Sequence, residues 1–123
     1  MKTLTSILFI ISFSLTTVAQ PNRDKIKTLK IAYITEQLNL SEKEAQQFWP
    51  IYNNFEEENS NLRRQGYSAR KKADLNTISE EDALILLKEM RMNENKRQSL
   101  QNDFIDRLTK VISAKKIIML HKI

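Results

Sequence analysis

Beyond the first twenty residues, a leucine or isoleucine followed by serine occurs three times in this chain, and each time a helix-type pattern follows. The three pairs are Leu40-Ser41, Ile78-Ser79 and Ile112-Ser113. A serine here can cap a helix, because its hydroxyl accepts from a backbone N–H that the first turn leaves unpaired. Ser41 has Glu44 three residues on, a capping box, with Leu40 placed to staple onto Ala45. Ser79 has Asp82 at the same offset, whereas Ser113 has Lys116, which cannot return the hydrogen bond. Three such starts mark out helices, and little else interrupts the pattern. Gly66 is the single glycine, and Pro21 and Pro50 are the only prolines. A sheet protein punctuated by glycine and proline turns is thereby disfavoured.

The coarse reading is all-α, with about four helices. The first runs from Asp24 to Gln37 and carries two stripes, Ile26/Leu29/Tyr33 and Ile31/Ile34/Leu38. Asn39 can break it. The second carries Ala45, Phe48, Trp49, Tyr52, Phe55, Asn59 and Leu62 at helical spacing. Pro50 lies inside it and predicts a bend, since proline has no N–H to give the carbonyl of Gln46. Gly66 either ends this helix or is carried through it to about Lys72. Residues 73–77 form a polar connection. The third helix places Ala83, Leu87, Met90, Glu94, Arg97, Gln101, Phe104, Leu108 and Val111 near heptad spacing, apolar at both ends and polar between Arg91 and Gln98. A fourth, from Ser113 to Ile123, is too short to stand undocked.

The N-terminus reads as an export signal. Lys2 precedes the apolar run Leu4–Leu15, and Thr17-Val18-Ala19 supplies small residues before Gln20. That run is short of the roughly 20 residues that span a bilayer. The expectation is cleavage after Ala19, leaving residues 20–123 as one helical domain in the periplasm. Membrane contact is then made only through an uncleaved signal. Loss of Lys2 lowers the formal charge from +5 to +4. A domain this small buries a limited core, which favours dimerisation.

Few catalytic chemistries are open to it. There is no cysteine and one histidine, His121. Thiolate metal sites, disulfides and two-imidazole mechanisms are excluded. No phosphate loop or Ser/His/Asp set stands out, so neither an enzyme nor a cofactor is expected. Glu56-Glu57-Glu58 and Glu80-Glu81-Asp82 are consecutive acids that point apart on a helix, a poor basis for cation binding. Met90, Met92 and Met119 read as gap-filling residues. Two groups are candidates for a client or partner surface. One is the aromatic face of Phe48, Trp49, Tyr52 and Phe55, which either is exposed for binding or forms core. The other is the basic run with Arg63, Arg64 and Arg70, extended by Lys71 and Lys72, which either attracts acidic partners or is a solvated face. Export argues against nucleic acid.

Ile26 to Glu58, above all Phe48 to Asn53 (FWPIYN), resembles a family of small exported Bacteroidetes proteins called "sensor of ECF-type sigma factor", related to the Spy/CpxP periplasmic proteins. The segment from Ile78 to Met90 and that from Leu108 to Lys122 fit the same pattern, so the resemblance spans the domain. The Spy/CpxP group carries two LTxxQ motifs. Leu40 to Glu44 (LSEKE) departs from the first by Ser for Thr and Glu for Gln, and Ile112 to Lys116 (ISAKK) departs further. The resemblance implies bent antiparallel helical hairpins forming a cradle, often dimeric, that binds unfolded or stressed envelope proteins without ATP. It equally accommodates a regulatory protein that binds the periplasmic part of a stress sensor or a sigma/anti-sigma system.

Overall fold

The computed structural model describes residues 23–123; the expected export signal and cleavage after Ala19 lie outside the described residues. The described chain is all-helical. Helix α1 spans Arg23–Gln37, α2 Glu42–Lys72, α3 Glu80–Leu108 and α4 Ala114–Leu120.

All three serine caps form. The Ser41 hydroxyl accepts from the Glu44 N–H, and the Glu44 carboxylate accepts from the Ser41 N–H, both at 3.1 Å. Ser79 accepts from the Asp82 N–H at 3.1 Å and Ser113 from the Lys116 N–H at 3.3 Å. Only the first is reciprocal, which follows from the side chains three residues on. Asn39 ends α1 in the left-handed region, at φ 47°, a conformation asparagine enters more readily than most residues.

Helix α2 runs through both of its expected interruptions. Pro50 stands exposed within it. Gly66 is buried in its interior with no positive φ, and the helix continues to Lys72. The close approach of α3 explains the glycine. A Cβ there would lie 3.2 Å from Asn93 Oδ1, and Asn93 Nδ2 donates to the Leu62 carbonyl at 3.0 Å. The polar middle of α3 therefore meets α2 where α2 has no side chain. Two expected boundaries move inward. Helix α3 ends at Leu108, short of Val111. Helix α4 ends at Leu120 instead of Ile123, because His121 turns back as its cap. The His121 Nδ1 lies 2.9 Å from the Ile117 carbonyl, and its Nε2 is 3.1 Å from Gln101 Nε2. A neutral ring protonated on Nδ1 satisfies both.

Helices α2 and α3 pack antiparallel: Phe55 stacks on Phe104 with ring centroids 4.1 Å apart, and Leu62 meets Asn93 further along. The core occupies one end of this pair. It comprises Ile34 and Leu38 of α1, Phe48 and Tyr52 of α2, Phe104 and Leu108 of α3, Ile112, and Ile117 of α4. Of the two stripes on α1, Ile34 and Leu38 face this core, while Ile26, Leu29 and Tyr33 stay exposed. On α3 the predicted strip packs at Phe104 and Leu108, but Leu87 at its other end is exposed.

Lys116 fastens the short α4 to the other end of the sequence. Its ammonium donates to the Asn39 carbonyl at 2.8 Å and to the Glu44 carboxylate at 2.9 Å. Hydrogen bonds from Lys116 and from the Ser41 N–H hold the Glu44 carboxyl below its usual pKa. A carboxylate with a depressed folded pKa contributes stability above its unfolded pKa, and that contribution is lost as pH falls through the folded value. We expect thermal midpoints to decline from about pH 5 downward. Glu44→Gln should be less stable than the parent at pH 7, with the gap narrowing toward pH 3. A constant gap across that range would exclude the ionised contact as its origin.

Candidate functional site

The aromatic candidates divide by burial. Phe48 is fully buried and Tyr52 is 8% exposed, so both are core and do not form a free surface. Trp49 and Phe55 are half-buried against that core. Phe48 meets Trp49 edge-on at 4.9 Å and stacks with Tyr52 at 5.5 Å. Such pairs add about 0.5–1.5 kcal/mol beyond the area they bury.

Beside them Lys30 of α1 reaches Glu56 of α2 at 3.0 Å and lies 5.2 Å from the centre of the Tyr52 ring. Burial opposes the charge on Lys30, but hydrogen bonds to Tyr52 and Glu56 outweigh it and raise its pKa above the ordinary lysine value. Burial is also the main reason the Tyr52 hydroxyl titrates above its ordinary range. These contacts fix α1 on α2 with its outer stripe turned away.

The basic candidates do form a surface. Arg63, Arg64 and Arg70 are exposed on α2 and line an open cleft of about 970 Å³ facing α3. Arg97 and Asn93 of α3 line its other side. Among the described residues, Arg63, Arg64 and Arg70 have no acidic partner. Arg64 donates to Asn61. Arg97 is held at 3.1 Å by Glu94, the one acid on the cleft wall. Lys71 lies 5.7 Å from the centre of the Tyr67 ring, outside the cleft. The sequence reading singled out the α2 arginines but not Tyr67, Asn93 or Arg97. Arg97 stands in the sequence on the heptad strip of the third helix, within its polar middle, but its proximity to the α2 arginines depends on helix pairing.

Next to this cleft, toward the α2–α3 turn, lies a groove of about 370 Å³ with almost wholly apolar walls. Ile78, Leu86 and Leu87 line it, and Arg70 and Met90 belong to both cavities. The remaining motif residues serve local structure: Leu40 packs against the core, and Ser41, Glu44, Ser79, Asp82 and Ser113 form caps.

No group of three or more histidine, aspartate or glutamate side chains converges to hold a metal among the described residues. None of the described helices is long and apolar enough to cross a membrane. No protein-family model, curated protein or solved structure matches the chain.

Proposed function

We propose that the protein is an exported envelope-stress factor of Spy/CpxP type, which binds partly unfolded proteins reversibly and without ATP. One observation carries this reading. More large apolar side chains stand exposed than buried among the described residues. They are grouped: Ile26, Leu29 and Tyr33 form a continuous stripe on α1, and Leu84 and Leu87 share one side of the outer half of α3. Grouped apolar exposure marks interaction surfaces. The arginines beside it give electrostatic attraction that speeds encounter. The antiparallel α2–α3 pair supports the hairpin architecture that the resemblance implies.

The test is suppression of aggregation of a reduced or heated client. The wild-type protein should protect at a near-stoichiometric ratio without nucleotide. A triple variant, Ile26→Ser, Leu29→Ser and Tyr33→Ser, changes only exposed positions. It should keep the parent helicity by circular dichroism and lose at least about half of the protection, as expected when an apolar contact patch is removed. Absence of protection at every ratio would sink the reading. It would favour a regulator of one defined envelope partner, which a pull-down from the envelope fraction would identify.

A further inference from the structure

We propose that the outer half of the α2–α3 pair holds a second kind of ligand, a single-chain anionic amphiphile. Its acyl chain would lie in the groove of Ile78, Leu86 and Leu87, and its phosphate or carboxylate on Arg63, Arg70 and Arg97. This site is separate from the α1 stripe.

Three observations carry the inference. The groove and the arginine cleft are contiguous, because Arg70 and Met90 line both. A molecule apolar at one end and charged at the other matches that order along the helices. The charge is one-sided: four arginines line the cleft against one acid, Glu94, already paired with Arg97. Guanidinium groups pair with phosphate and carboxylate through two parallel donors, so such a set favours an oxyanion over a diffuse negative field. Lastly, the Arg97 Nε is enclosed and has no hydrogen-bond partner. A buried donor left unpaired is costly, so a turn of the Arg97 guanidinium that brings it to an acceptor in the cleft is favoured.

Gly66 keeps the site open. The Arg70 side chain folds back until one guanidinium nitrogen is 3.4 Å from where a Gly66 Cβ would sit. With no side chain there, the Arg70 guanidinium and Asn93 of α3 both lie close to the α2 backbone at the cleft floor.

Each methylene of an apolar tail that leaves water for the groove adds to binding, so tail and head should reinforce each other. The groove suits one short chain, not a bilayer surface, which has its charge in a plane above the apolar layer. An acidic peptide satisfies the arginines but leaves the groove uncovered.

The experiment titrates the purified protein with 1-lauroyl lysophosphatidic acid below its micelle concentration, following backbone amides by NMR and affinity by calorimetry. Saturable one-to-one binding is expected, with shifts gathered at residues 63–70 and 78–90. Arg63→Gln with Arg70→Gln should weaken it at least tenfold, and Leu87→Asn about fivefold. Both variants change exposed residues, and circular dichroism should show unchanged helicity. Inorganic phosphate alone should move only the amides around Gly66 and Asn93, and weakly, which separates a free anion from a headgroup. Equal affinity for zwitterionic 1-lauroyl lysophosphatidylcholine would overturn the proposal. So would undiminished binding by the arginine variant, shifts centred elsewhere, or no binding. A poly-glutamate peptide that binds as tightly as the lipid would overturn it too, reassigning the cleft to protein segments.

Discussion

Phe48→Ala should bring this protein close to unfolding at room temperature. The ring is fully buried, meets Trp49 and Tyr52 at aromatic pairing distances, and belongs to a core drawn from all four helices. Truncating a buried phenylalanine costs about 3–5 kcal/mol, part lost transfer energy and part cavity. Total stabilities of single domains lie at about 5–15 kcal/mol. With a core this small the lower end is the appropriate comparison, so one side chain carries much of the total. At roughly 4–8 °C per kcal/mol for a domain of this size, the midpoint should fall by well over 10 °C. Thermal or urea unfolding followed at 222 nm measures it. A shift of only a few degrees would mean that Phe48 is not the keystone its burial indicates. As a comparison, Leu87→Ala, at a position 59% exposed, should change the midpoint by no more than about 2–4 °C, since surface substitutions usually stay within about 0.5 kcal/mol.

Pro50→Ala should act in the opposite direction. Helix α2 continues on both sides of Pro50, so the carbonyl of Gln46 receives no backbone donor there, and the ring crowds it. Proline in a helix interior is about 3 kcal/mol less favourable than alanine. Against this, proline restricts the unfolded chain, an advantage of about 0.4–1 kcal/mol that the substitution forfeits. The balance is a stabilisation of about 2 kcal/mol, visible as a higher urea midpoint with an unchanged slope. The ring is exposed, so its removal opens no cavity in the core. Destabilisation by Pro50→Ala would show that the proline ring is needed where it stands to bring Tyr52 and Phe55 onto Phe104. A stabilised variant with weaker client protection would instead identify the proline as a cost retained for binding.

Local features of the fold were legible because their causes are local. Ser41, Ser79 and Ser113 each announce a helix within three residues, and Asn39 announces a stop. The inner face of α2, from Phe48 through Leu62, follows from spacing alone. Other features depended on neighbours distant in sequence. Periodicity marked two stripes on α1 but not which one would meet α2. Gly66 left two endings open for α2, and only Asn93 on α3 explains why the helix keeps a glycine there. Lys116 read as a poor capping partner for Ser113, and its actual partners are Asn39 and Glu44. The aromatic candidates turned out divided, with Phe48 and Tyr52 inside and Trp49 and Phe55 at the margin. The arginine cleft was half legible: Arg63, Arg64 and Arg70 form a visible run, while Arg97 joins them only when α3 folds back.

The position of the core has a consequence for the chain while it is being made. Ile34, Leu38, Phe48 and Tyr52 are synthesised early, but their partners Phe104, Leu108, Ile112 and Ile117 follow more than fifty residues later. Synthesis proceeds at about 5–20 residues per second from the N-terminus, so the early side chains wait several seconds for anything to pack against. During that interval the nascent chain can form helical turns and begin to pair α2 with α3, yet it cannot close its interior. Commitment to the folded state waits until Ile117 has been made, and the polypeptide stays pliable until then.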